Sequence, residues 1–237
     1  GVVRVYSDDG GTLLGTNIGK RLIVNNNYHY AEFEFNCDNT GKCRFLLDGA
    51  EQFNFVGDTQ AHGDGVIDKF AIPNTGAGSN FHWAFDDMYC LSGADNALGE
   101  GRIMLVEMLS DVSTDFTPLT GTDNFAMIDD ASTDGDTSYN FANIATNRDL
   151  FAGTQITNLP TAIHFVSLVC AARKEDSGTR TLKVVLKSGA TVSDGEDFNL
   201  TANYLWIRHH WQLDPDTNAQ FLKDGVNALN FGYELVL

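Results

Sequence analysis

The chain has 237 residues, with 32 Asp plus Glu against 15 Lys plus Arg and a formal net charge of -17. That acidic balance is spread along the sequence and no basic patch interrupts it, so nucleic acid is excluded as a partner. Hydrophobic residues make up 43%, enough for one large core or two moderate ones, and no run reaches the eighteen or so apolar residues of a membrane helix, so no membrane insertion is expected.

Short β-favouring runs, punctuated by Asp-Gly, Thr-Gly and Asn-Thr pairs, fill most of the chain. In YHYAEFEFNC (28–37), Ala31, Phe33, Phe35 and Cys37 share one parity while Glu32, Glu34 and Asn36 take the other. KCRFLLDG returns and EQFNFVG follows, so 28–56 is predicted as an antiparallel meander. Cys37 and Cys43 flank the turn DNTGK; a disulfide across the hairpin and two buried thiols are both open. Cys90 and Cys170 lie in apolar runs and are read as packing residues. The runs 66–72, 80–91 and 102–109 are predicted to continue the first unit as strands.

From 110 to 124 the sequence turns polar, which is read as the joint between two units. Strands are predicted again over 162–174, 180–188, 199–213 and 228–237. In the last, Leu229, Phe231, Tyr233, Leu235 and Leu237 line one face. The predicted fold is therefore all-β: two β-sandwich domains of jelly-roll or concanavalin-like type with little helix, spanning 1–115 and 116–237. Period-2 spacing assigns Phe33, Phe35, Phe45, Leu47, Val184, Leu186, Phe231, Tyr233 and Leu235 to the cores.

Chemistry is harder to find. There is no Gly-x-Ser-x-Gly elbow, no Walker loop and no His-Glu-x-x-His pair. His209 and His210 are adjacent on a predicted strand, so they point to opposite faces and do not chelate one ion together. Asp86 and Asp87 are adjacent for the same reason, and the Glu-x-Asp-x-x-Glu string of sandwich glycosidases is absent. Of Trp83, Trp206 and Trp211, Trp211 beside Asp214 is the best candidate for a sugar-facing ring; the competing reading is that all three rings fill cores.

One stretch, HHWQLDPDTNAQF (209–221), places Asp214, Asp216 and Asn218 at alternate positions, as a calcium loop begins. Such a loop needs a glycine at its sixth position and a glutamate at its twelfth, where this chain has Ala219 and Gly225. The parallel set Asp134, Asp136 and Ser138 fails likewise, with Tyr139 and Ala145. Asp214 to Asn218 are therefore expected to form a turn leading into a short helix near 217–223. No catalytic residue, no cofactor-binding residue and no metal ligand is assigned, and the chain is read as non-enzymatic, with no cofactor.

The order of features carries one resemblance. GTLLGTNIG, YHYAEFEFNCDNTGKCRFLLDG, VGDTQ and HWAFDDMYCL resemble the later strands of a concanavalin/laminin-G-like sandwich found in virion structural proteins of tailed bacteriophages. GRIMLVEMLSDVSTDFTPLTG and DDASTDGDTSYNF look like that family's passage into its C-terminal β domain. RKEDSGTRTLKVVLKSG and LDPDTNAQFLKDGVNALNFGYELV look like the domain itself. Family members carry about another half-sandwich before this point, so the first domain is expected to lack its N-terminal strands. The resemblance implies a non-enzymatic virion component, in the tail, a fibre or the capsid-surface decoration, that assembles as a homo-oligomer with other virion proteins. It also allows contact with a host-surface glycan. The alternative is a lectin-like, glycan-binding adhesin.

Overall fold

In the computed structural model the described residues are 4–6, 13–16, 29–60, 86–90, 98–130, 134–157 and 162–236. The chain divides into two compact units, Gly1–Met104 and Leu105–Leu237. The architecture is all-β and antiparallel, as expected. Among the described residues helix is confined to one 3-10 turn at Phe125–Met127 and one α-helical turn, α1, at Lys223–Val226.

In the first unit β1 (Arg4–Tyr6) pairs with β2 (Leu13–Thr16). β3 (Ala31–Asn36), β4 (Gly41–Leu47) and β5 (Ala50–Gly57) form the predicted meander. Its register sets Phe33 beside Phe45 and Phe53, and Phe35 beside Cys43 and Phe55, so one face is largely aromatic. Cys43, Phe45 and Phe53 are buried there, with Leu47 half-buried against them.

Phe33 and Phe35, expected in the core, are 58% and 43% exposed. Parity groups residues onto a face, but the strand's place in the sheet decides how much of that face is covered. β3 is the first strand of the meander, and Phe33 stacks on Phe45 with ring centroids 4.5 Å apart. The opposite face is charged, with Lys42 donating to Glu34 at 2.8 Å and Arg44 to Glu51 at 3.0 Å. Glu32 on that face is buried, and its carboxylate accepts the Gly99 N–H at 3.3 Å.

The hairpin register also settles the cysteine question. Asn36 pairs with Lys42 and Phe35 with Cys43, which leaves Cys37 in the turn. Its Sγ faces the Thr59 carbonyl at 3.8 Å, and both thiols are free. The predicted strand 66–72 and residues 80–85 lie outside the described residues. Residues 86–90 form a bend, and 101–107 take no strand pairing, so the strand begins only at Met108.

The second unit begins its strands earlier than the polar composition of 110–124 suggests. β6 (Met108–Ser113) is the edge of a six-stranded sheet. β7 (Thr117–Pro118) pairs with β8 (Asn140–Phe141). The large sheet continues through β9 (Arg148–Gly153), β15 (Asn230–Leu235), β11 (Thr181–Ser188) and β12 (Thr191–Asp194), with β13 (Phe198–Asn199) extending the β12 edge along β11. A second sheet, β10 (Val166–Ala172) with β14 (Leu205–Trp211), lies over β11.

The core sits between these two layers. Register rows Leu182–Leu235, Val184–Tyr233 and Leu186–Phe231–Phe151 face Val166, Ile207 and Trp211. β11 is rich in β-branched and leucine residues, and Val184, Val185 and Leu186 are fully buried, so it is covered on both faces. β15 is too: Gly232 and Glu234, on the face opposite Phe231, Tyr233 and Leu235, are also buried. At Gly232 a Cβ would lie 1.9 Å from the Asp149 carbonyl oxygen, so only glycine fits between β15 and β9.

Candidate functional site

The β10–β14 sheet positions the candidate site, because its two faces differ. Odd-numbered residues of β14 point into the core: Ile207 is fully buried and Trp211 is 6% exposed, its indole N–H donating to Ser193 Oγ at 3.0 Å. Even-numbered residues point outward: Trp206 is 65% exposed, and Arg208 and His210 are exposed beside it. Across the register stand Ala171, Val169 and Ser167 on β10. Trp211, the candidate for a sugar-facing ring, thus fills the core, as the competing reading had it. Of the two described tryptophans the exposed one is Trp206.

The electrostatics of this face are unusual for the unit. Arg148 pairs with Glu234, Arg173 with Asp136 and Glu175, and Arg180 with Asp176. Among the described residues of this unit Arg208 is the arginine without a carboxylate partner. Partial burial of the ring against Phe165 first, then the charges of Arg208 and His209, hold the His210 imidazole below its ordinary range. At the end of the face the Arg173 guanidinium lies 5.4 Å from the centre of the Tyr204 ring. The Tyr204 hydroxyl is 2.8 Å from Asp136 Oδ1, and Asp136 is held below the usual carboxylate range by that contact and by Arg173. These bonds order the rim where the chain enters β14.

Beneath this layer the unit is fixed by a buried carboxylate. Asp149 shares the inner face with Val184 and Tyr233 and is 0% exposed. Its Oδ1 accepts the N–H groups of Asp115 and Phe116 at 2.7 and 2.9 Å; its Oδ2 accepts Asn124 Nδ2 at 2.7 Å and the Tyr233 hydroxyl at 3.2 Å. Asp111 accepts the N–H groups of Asn124 and Phe125 at 2.9 and 2.7 Å. Burial of a charge is tolerated because several donors compensate it. The segment after β6 is thereby tied to β9 and β15.

The turn expected at Asp214 is present. Asp214 is buried; its carbonyl accepts the Asn218 N–H at 2.7 Å, its Oδ1 accepts the Asp216 N–H at 2.9 Å, and its own N–H reaches the Ala219 carbonyl at 2.8 Å. Asn218 takes the left-handed φ of 52° that closes such a turn, and Asp216 Oδ1 accepts from Thr191 at 2.7 Å. The helix that follows starts at Lys223, later than expected, after a bridge between Ile163 and Phe221.

The other sequence candidates are dispersed. Asp134 accepts from Ser138 at 3.0 Å, while Asp136 turns to Arg173 and Tyr204. His209 packs edge-on against Trp211, and His210 edge-on against Phe165. Asp86 caps the Asp87 N–H at 2.9 Å, and Asp87 accepts the Ile103 N–H at 2.8 Å. Trp83 lies outside the described residues.

A shallow cleft of about 530 Å³ opens on the other face of the large sheet, lined by Ser113, Asp115, Thr146, Arg148, Lys187 and Glu234. Two of its charges are already engaged: Arg148 Nε donates to Glu234 at 2.5 Å, and Glu234 is also reached by Lys183 at 3.1 Å. Among the described residues no helix is long and apolar enough to cross a membrane. No protein-family model, no curated protein and no solved structure matches the chain.

Not foreseen from the sequence are Asp149, Arg208 and the exposure of Trp206. Once β14 is placed, the alternation Trp206, Arg208, His210 against Ile207, His209, Trp211 is the signal for the outward face. Asp149 carries no comparable signal, because an acidic residue in a short polar run is ordinarily a surface residue.

Proposed function

We propose that this chain is a non-enzymatic structural protein of a tailed-bacteriophage particle, in its tail, a fibre or its capsid surface, that serves assembly and contacts the host surface. The order of sequence features supports the phage setting. The observation that carries the non-enzymatic part is where the buried carboxylates go. Asp149 accepts four hydrogen bonds from the chain itself, Glu234 is held by Arg148 and Lys183, Asp214 closes a turn and Glu32 accepts a backbone N–H. A pair of carboxylates acting on a glycoside must instead face a substrate cleft across a gap of about 5–9.5 Å. These acids support a rigid scaffold.

The same reading makes the chain a homo-oligomer that docks to other virion proteins. Mass spectrometry of gradient-purified particles from the source encoding the chain tests it. The chain is expected at a fixed stoichiometry to the major capsid protein, and its absence from washed particles would overturn the assignment. A second reading, a glycan-binding adhesin, is favoured by the exposure of Trp206 beside Arg208. The two are compatible, since a surface component can carry both roles.

A further inference from the structure

We infer that the outer face of the β10–β14 sheet binds a carboxylate-bearing glycan, with Trp206 as the stacking platform and Arg208 as the carboxylate clamp. The inference deepens the host-contact part of the proposed function and takes its biological setting from it.

Trp206 is exposed over most of its surface on a regular, paired strand, where a ring of this size is ordinarily buried. Its cross-strand neighbour Ala171 adds only a methyl group, and Val169, also exposed, supplies an apolar wall opposite Arg208. An apolar plate with polar groups at its margin suits the C–H face of a pyranose ring, whose hydroxyls project around its edge. Arg208 is two residues along the strand, about 6.5–7 Å away, which matches the reach from a stacked ring to an exocyclic carboxylate. His210, and Ser167 opposite it, continue the row with groups that hydrogen-bond hydroxyls.

Charge selects the class. The unit has more than twice as many acidic as basic side chains, and its other described arginines are ion-paired, so an unpaired guanidinium beside a bare indole stands out. Guanidinium groups recognise carboxylates in a bidentate fork. A neutral sugar would leave that donor set unused. The surrounding negative charge disfavours a polyanion such as nucleic acid and permits a single carboxylate presented on a sugar ring.

The test uses the full chain and four probes: 3′-sialyllactose and a galacturonic-acid trimer, with lactose and a glutamate-rich peptide as controls. Tryptophan fluorescence and saturation-transfer NMR should detect at least one acidic sugar at millimolar concentration or below, with weaker or no response to the controls. Trp206→Ala should abolish the response. Arg208→Gln should weaken acidic-sugar binding at least tenfold, and Arg208→Lys should weaken it less. Thermal melts of each variant establish that it is folded; both sites are exposed, so little change is expected.

Silence of both acidic sugars, equal affinity for lactose, or an unchanged signal in Trp206→Ala overturns the inference. Preferential binding of the peptide also overturns it and makes the face a protein-docking surface. None of these outcomes affects whether the chain is found in purified particles, so the two readings fail separately.

Discussion

Asn124 Nδ2 donates to Asp149 Oδ2 at 2.7 Å across 25 residues of sequence, and both side chains are buried. Asn124 spans the gap with its second bond too, to the Phe116 carbonyl at 2.9 Å. Asn140 completes the link, donating to the Asn124 carbonyl and to the Tyr233 hydroxyl. Asp149→Ala would leave four donors without their acceptor and should cost at least about 3 kcal/mol, against about 1–3 kcal/mol for Asn124→Ala. Because they share one network, the double variant should cost less than the sum of the singles by roughly 0.5–3 kcal/mol. Urea unfolding of the three variants gives the numbers; strict additivity would show that the network does not act as a unit.

The first unit's meander offers a contrast between two phenylalanines on neighbouring strands. Phe45 is buried and Phe33 is largely exposed, although their rings stack. Phe45→Ala should cost about 3–5 kcal/mol. Phe33→Ala should cost less, because more than half of its surface is already in water. Equal losses in chemical denaturation would mean that Phe33 is covered in solution, as a self-associating edge strand would be.

How much of this was legible in the sequence follows from what each pattern encodes. Alternation in 228–237 identified Phe231, Tyr233 and Leu235 as one inward row, because cross-strand burial repeats every second residue. It did not foresee that Gly232 and Glu234 are buried as well, since coverage of the second face depends on neighbouring strands and ion pairs. β9 went unseen because Arg148 and Asp149 make its start polar; the burial of Asp149 is a tertiary fact, set by donors from residues 115, 116, 124 and 233. The turn at Asp214 was legible because Asx side chains bond their own backbone within a few residues. Which of Trp206 and Trp211 faces outward was not: both lie in one run, and only the placement of Ile207 against β11 decides which parity faces inward.

A calcium test follows from the turn at Asp214. Its carboxylate and carbonyl are engaged by the Asp216 and Asn218 N–H groups, and Asp216 by Thr191. Melting temperatures with millimolar calcium and with chelator should coincide. A ligand at a hundred times its dissociation constant would add about 2.7 kcal/mol, a shift that a melt resolves. A chelator-sensitive melt that Asp216→Ala renders insensitive would replace the turn with a metal site.

The outward face has a pH signature. His210 is held below its ordinary value of 6.5 by burial, then by Arg208 and His209. A histidine with a depressed folded pKa binds its proton more readily when unfolded. Its stabilising contribution is therefore complete above 6.5 and declines as pH falls from there through the folded value. NMR titration should place His210 below 6.5, and Arg208→Gln should raise it. A titration at or above the ordinary value would remove the positive environment described for this face.

The most direct measurement of the central claim is where the chain sits on an intact particle. Gold-labelled Fab fragments raised against the purified chain, applied to particles from its source and imaged by electron microscopy, give that position. The account predicts label at symmetry-related sites on the tail, the fibres or the outer capsid, in multiples set by a homo-oligomer. Unlabelled particles, with the chain also missing after they are dissolved, would contradict it.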